Sequence, residues 1–192
     1  ILRRMEKYGL YSEKRVSAAI RIVANENHYH PIRDYLNDLK WDGTERISHA
    51  LHRFLGAAED ELTAEALKIF LLGAIKRVFH PGCKFEMMLC LVGGQDAGKS
   101  SFFRLLAIKD EWFSDDLRRM DDDNVFRKLQ GHWIMEMSEM IATANAKSIE
   151  EIKSFLSKQK ETYKIPYETH PADRLRQCVF AGTTNRQDFL PR

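Results

Sequence analysis

The stretch LCLVGGQDAGKSSFFR, residues 89–104, decides how this chain is read. Leu89, Cys90, Leu91 and Val92 form a short unbroken apolar run, as expected of a strand buried on both faces. Gly93 follows, and Gly98, Lys99 and Ser100 complete the spacing G-x-x-x-x-G-K-[ST]. Residues 100–106 then read as the opening turns of a helix. Strand, glycine-rich turn and helix, in that order, give the spacing its physical meaning. The glycines let successive amides curl around a polyphosphate, and the positive end of the helix macrodipole adds to the attraction.

The cofactor reading is ATP with Mg²⁺. Gly93, Gly94, Gln95, Asp96, Ala97, Gly98, Lys99, Ser100 and Ser101 line the phosphates, Lys99 reaches the β- and γ-phosphates, and Ser100 ligates the metal. Asp96 is the discordant member, because it brings a carboxylate to an anion site and must point outward if affinity is to survive.

A second chemical segment is GHWIMEMSEM, residues 131–140, where an apolar run ends in Glu136 and Glu139. Phosphate-loop chemistry needs an acid at the tip of a neighbouring strand to hold Mg²⁺, and a carboxylate to orient and deprotonate the attacking water. Both glutamates are candidates for both jobs. A strand continuing through Met137 puts Glu139 at its tip as the base, leaving Glu136 as the metal-side acid or facing another subunit. The third segment, QCVFAGTTN at 177–185, is a strand ending in Thr183, Thr184 and Asn185, whose amide suits a sensor of the γ-phosphate. Its plainer reading is a strand-to-turn signal.

The other segments set the architecture. Residues 1–30 read as a helical, basic arm with an apolar stripe at Val16, Ala19, Ile20 and Val23. In NHYHP, His28 and His30 have H-x-H spacing but no third ligand nearby, so capping ahead of Pro31 is the better reading. Helices are expected over 31–39, 47–55 and 63–79, the last stopped by His80-Pro81-Gly82, and a short strand over 112–117. Asp121, Asp122, Asp123 and Asn124 read as the cap of a helix reaching Leu129, and Ser148 to Glu151 as a capping box opening a helix to Ser157. Lys153, Lys158, Lys160 and Lys164, interleaved with Tyr163 and Tyr167, suit contacts to a nucleic-acid backbone in a hairpin-like segment; a solvated lysine face explains the spacing equally well.

Bulk properties restrict these readings. A chain of 192 residues buries a real core, and a formal charge of +2 leaves nucleic-acid binding to local clusters alone. The three cysteines lack metal spacing and sit largely in core-like runs, which points to reduced thiols and a cytoplasmic setting. No apolar run is long enough to span a bilayer, and no signal peptide is visible. The Ile1 start and the stop soon after a strand-like run give the expectation of a piece cut from a longer protein.

Taken together, HPIRDYL (30–36), WDGTERI (41–47), the 81–107 block, WFSDDL (112–117), GHWIMEMSEM, IKSFLS (152–157), ETYKIPY (161–167) and VFAGTTN (179–185) resemble the virulence-associated protein E family over nearly the whole chain. That family is similar to superfamily 3 helicases within the AAA+ class. The resemblance implies an α/β P-loop NTPase: a parallel sheet flanked by helices over 81–192, preceded by an α-helical subdomain over 1–80. It implies a DNA-dependent ATPase of a phage, plasmid or genomic island, acting as a helicase or replication initiator. Lys99 and Ser100 would bind Mg-ATP, Glu139 with Glu136 would be the Walker B acids, and Asn185 the sensor. Lys153, Lys158, Lys160, Tyr163 and Lys164 would lie in the region that meets DNA, single-stranded, in a homo-oligomer of hexameric type.

The departures are Asp96 where glycine is common, and Glu161 and Lys164 where Asp and Arg are usual. The family's arginine pair falls beyond the last residue, and loss of such a finger costs about 10³-fold or more in rate. Two other functions remain open at this point. One is a nucleotide-gated DNA-binding or assembly module that hydrolyses little. The other is a P-loop kinase with Arg174 and Arg176 as lid arginines.

Overall fold

The computed structural model describes residues 2–117, 125–138, 146–163 and 172–186. The chain forms two compact units, residues 1–40 and 41–192. The first holds α1 (Leu2–Met5), a 3-10 turn (Glu6–Tyr8), α2 (Glu13–Glu26) and α3 (Pro31–Asp38). Ser12 caps α2 by accepting from the Arg15 amide. His30 Nδ1 caps α3 by accepting from the Arg33 amide, with Pro31 at the first helical position. The capping reading of His30 therefore holds.

The second unit contains α4 (Ile47–Leu55), α5 (Glu61–Phe79), β1 (Met88–Val92), α6 (Lys99–Leu106), β2 (Phe113–Ser114), α7 (Val125–Lys128), β3 (Ile134–Glu136), α8 (Ala146–Ser157), β4 (Lys160–Tyr163), β5 (Ala172–Leu175) and β6 (Val179–Thr184). Four strands form one parallel sheet in the order β1-β6-β3-β2. β4 and β5 pair antiparallel as a separate ribbon, the hairpin expected around the lysines.

Helices α4 and α5 belong to the sheet-bearing unit, so the units divide after Lys40, whereas the sequence division falls after His80. Two long-range bonds attach α5 to the sheet, and a third from Arg77 holds the segment before β1. The Trp133 indole N–H donates to the Ala74 carbonyl at 3.0 Å, and the Arg77 guanidinium donates to the Cys178 carbonyl at 2.9 Å and the Phe85 carbonyl at 2.7 Å. Arg77 is fully buried, and desolvation holds its pKa below the usual arginine value. In the fold it ties α5 to the sheet.

Alternation along the strands sorts the core. Met135, Met137 and Phe180 join Phe155, Ile152 and Leu156 of α8 in one buried cluster. Their strand neighbours Ile134, Glu136, Val179, Ala181 and Thr183 alternate with them and so face the other way. Glu136 thereby turns away from the α8 cluster, and α6 meets it there through Ser100.

Several boundaries differ from expectation. α5 begins at Glu61, because Asp60 accepts from the Thr63 amide at 2.7 Å. α8 begins at Ala146, which puts Ser148 inside the helix, so it is not the N-cap of a capping box. The strand expected over 112–117 is ordered as such only at Phe113–Ser114. Asp121 to Asn124 lie outside the described residues. No described helix is long and apolar enough to cross a membrane.

Candidate functional site

At the C-terminal end of the sheet, β1 runs into the glycine loop and α6. Gly98 takes a left-handed φ of 78°, a conformation glycine adopts without penalty, and stands at the N-cap of α6. It brings no side chain to the first amides of the helix, so they have no side-chain cap. Asp96 also has a positive φ, 58°, and is exposed. Aspartate tolerates that region better than most residues. Asp96 is among the residues that line the cleft beside Lys99, so its carboxylate stays close to the loop.

Lys99 folds over the loop. Its Nζ donates to the Gly93 carbonyl at 2.9 Å, the Gly94 carbonyl at 2.5 Å and Asn185 Oδ1 at 2.9 Å. Ser100 Oγ donates to Glu136 Oε1 at 2.6 Å, and Thr183 Oγ1 donates to the same oxygen at 2.5 Å. The insertion of β6 between β1 and β3 makes this meeting possible, since its tip carries Thr183 and Asn185 into the gap between Lys99 and Glu136. A single cleft of about 380 Å³ is lined by the loop from Gln95 to Ser101, by Ser138 and by Thr183, Thr184 and Asn185.

Glu136 is 1% exposed, and its second oxygen, Oε2, has no hydrogen-bond partner among the described atoms. An orphaned buried carboxylate oxygen is costly unless something binds it. A hard cation answers that need, and magnesium is commonly held by one or two carboxylates with the remaining positions taken by phosphate and water. Glu136 and Ser100 fit such an ion. Of the alternatives for Glu136, the outward-facing one is excluded by its burial against α6. β3 ends at Glu136, short of Met137. Glu139 lies outside the described residues.

Sequence reasoning named Thr183 only as part of a polar strand end. In the fold it orients Glu136. The available signal was its parity: two residues before Asn185 on a buried strand, it shares a face with that amide.

The lysine segment is less open than its spacing implied. Lys153 pairs with Glu150 at 2.7 Å and Lys160 with Asp173 at 2.5 Å. Lys158 lies over the Phe126 ring at 5.1 Å and the Phe155 ring at 5.8 Å. All three lysines remain exposed. Glu161, within the same run, is buried and paired with Arg176. Arg176 also donates to the Phe155 carbonyl at 2.5 Å, and it is itself buried. That overturns Arg176 as a lid arginine: its guanidinium is spent inside the fold. The Tyr163 ring and Lys164 fall outside what is described.

The cysteines are free thiols. Burial pushes Cys90 and Cys178 up to about 11.

The fold is similar to two apo structures of the NrS-1 C-terminal region. One shares 16% identity at a TM-score of 0.51, covering 72% of this chain and 32% of that one. The other, of residues 305–718, shares 15% identity at 0.51, covering 74% and 35%. At such identity the likeness concerns the fold alone, and this chain spans about a third of the length of either structure. No curated protein matches the sequence significantly. The model of the virulence-associated protein E-like domain matches residues 36–191, a span that takes in the glycine loop, Glu136 and Asn185. The chain belongs to the virulence-associated protein E-like domain family.

Proposed function

We propose that this chain is the core of a P-loop ATPase that works on DNA as a helicase or replication-initiator component of a mobile element. One observation carries the reading. Lys99 and Ser100, at the start of the helix after the glycine loop, reach Asn185 and Glu136 on the two next strands of the parallel sheet. Those are the positions from which a triphosphate, its metal and a sensor must converge.

The residues divide the work as follows. The loop amides and the start of α6 take the phosphates. Lys99 exchanges the Gly93 and Gly94 carbonyls for phosphate oxygens. Ser100 and Glu136 would hold magnesium, with Thr183 fixing the carboxylate through Oε1 and leaving Oε2 without a partner among the described atoms. Magnesium, when bound, neutralises charge building on the β- and γ-phosphate oxygens. Asn185, already bonded to Lys99, registers the occupant of the γ-phosphate position. Glu139 is the candidate for orienting the attacking water. The exposed Lys153, Lys158 and Lys160 face a DNA backbone, with Tyr163 and Lys164 extending the same segment, in a homo-oligomer of hexameric type.

A second reading, a nucleotide-gated assembly module with little turnover, is favoured by one feature, the Asp96 carboxylate in the loop. The kinase reading loses Arg176, which is committed to Glu161.

The test is ATP hydrolysis with Mg²⁺, with and without single-stranded DNA. ATPase activity stimulated by DNA, and lowered at least about 10²-fold by both Lys99→Ala and Glu136→Gln, is expected for the motor. Binding of nucleotide and DNA without turnover supports the module. Measurable wild-type hydrolysis that Lys99→Ala leaves unchanged refutes both.

A further inference from the structure

A second cavity, also of about 380 Å³, opens beside the phosphate cleft. Its walls come from the C-terminal end of α4 (Phe54 and Leu55) and from α6 (Ser101, Phe102 and Leu105), with Gly98 between them. Gly98 and Ser101 line both cavities, so the two meet across the first turn of α6. A Cβ on Gly98 would sit 3.9 Å from Leu55 Cδ2, which places the end of α4 directly over the loop.

The chemistry of this second cavity differs from the first. The phosphate cleft is lined by polar groups and backbone; this one is lined by aromatic and aliphatic side chains, with the Ser101 hydroxyl the polar side-chain group among the described lining residues. Two of its walls are large apolar side chains that stand open. Phe54 is 66% exposed and Leu105 is 77% exposed. The Arg53 guanidinium lies over the Phe54 ring at 5.7 Å from its centroid. Its volume falls within the ~300–1,000 Å³ typical of small-ligand clefts.

We propose that this cavity is the nucleobase subsite of the bound nucleotide, with Phe54 as its stacking platform. The assignment rests on the P-loop reading, because the occupant follows from continuity. A ligand with a polyanionic head at Lys99 and a flat, largely apolar body fills both cavities only by crossing the Gly98–Ser101 turn. A nucleoside triphosphate has that construction. The described walls engage the base by stacking and shape, and every base has a π-face, so ATP and GTP bind alike. α4 thereby becomes part of the nucleotide site: a helix that precedes the sheet in sequence senses whether a nucleotide, and not merely phosphate, is present.

The experiment is calorimetric titration of the full chain with Mg²⁺ and ATP, GTP or inorganic tripolyphosphate, for the wild type, Phe54→Ala and Phe54→Trp. Phe54 is exposed, so its replacement leaves the core intact. Phe54→Ala is expected to weaken ATP and GTP about tenfold while leaving tripolyphosphate within about twofold, and Phe54→Trp is expected to restore both nucleotides. Unchanged ATP affinity in Phe54→Ala overturns the subsite, as does wild-type affinity for tripolyphosphate equal to that for ATP; in the second case the phosphate loop still stands. Equal weakening of all three ligands overturns it too, because Phe54 would then act through the loop. A wild type that binds neither ATP nor tripolyphosphate overturns the P-loop reading itself, and the subsite with it.

Discussion

Replacing Gly73 by alanine should destabilise the chain, and the same replacement should stabilise it once Phe85 is gone. Gly73 lies in the middle of α5, where glycine costs roughly 1 kcal/mol relative to alanine. Its place is explained by Phe85, on the segment between α5 and β1. A Cβ built on Gly73 would lie 2.2 Å from Phe85 Cε2 and Cζ and 2.6 Å from Cε1. Three ring atoms at such distances force the ring out of its seat, which belongs at the upper end of the ~1–3 kcal/mol cost of overpacking. Setting the gain in helix propensity against that leaves Gly73→Ala destabilising by about 1–2 kcal/mol. Phe85→Ala removes the obstacle but keeps the Phe85 carbonyl that Arg77 holds, so the anchor of α5 persists. In that background Gly73→Ala should stabilise by about 1 kcal/mol, giving a coupling of about 2–3 kcal/mol. Urea unfolding of the four proteins in the cycle, at a common m value, measures it. Gly73→Ala that is neutral or stabilising in both backgrounds would refute the packing argument.

Two further outcomes are expected. Asp96→Gly removes a carboxylate from the cleft proposed for the phosphates and replaces an exposed left-handed residue with one that prefers no hand. Nucleotide affinity should rise by about 1 kcal/mol, a few-fold to tenfold, with a gain that shrinks in high salt; a salt-independent gain would mean that backbone freedom, and not charge, was responsible. For Cys178, whose folded pKa of about 11 exceeds the usual thiol value, the protonated form is favoured by the fold. Its contribution to stability is complete below the unfolded pKa of about 9 and is lost as pH climbs through about 11, so the melting temperature should fall across that window and fall less in Cys178→Ala. An identical alkaline decline in the variant would remove Cys178 from the account.

Much of the site was legible because its signals are local. The spacing from Gly93 to Ser100, the apolar runs of β1 and β6, and the glutamate ending β3 are each set by a few adjacent residues. What resisted reading depends on partners far along the chain. Nothing local marks Arg77 as buried; its acceptor, the Cys178 carbonyl, is 101 residues away. Glu161 sits in a run of lysines, yet it is buried against Arg176. A buried charge and a surface charge are the same letter, and only tertiary packing tells them apart. Phe54 was hidden for the converse reason. An apolar residue at the end of a short helix reads as core, and nothing local shows that its ring stands open beside Gly98.

The register of β6 carries a further consequence. Its residues pair with β1 on one side, Leu91 opposite Thr183, and with β3 on the other, Glu136 opposite Ala181. Because side chains alternate, Ala181 and Thr183 share the face of Glu136, and Thr183 reaches past the end of β3 to its carboxylate. A slip of one residue along either neighbour would send Thr183 to the α8 side, where Phe180 and Met135 already fill the core. It would also leave Glu136 with Ser100 as its single described hydrogen-bond partner. The packing of phenylalanine and methionine on one face of the sheet therefore sets the register that assembles the polar cluster on the other. Core substitutions at Phe180 or Met135 act on the site through that register, without touching any of its residues.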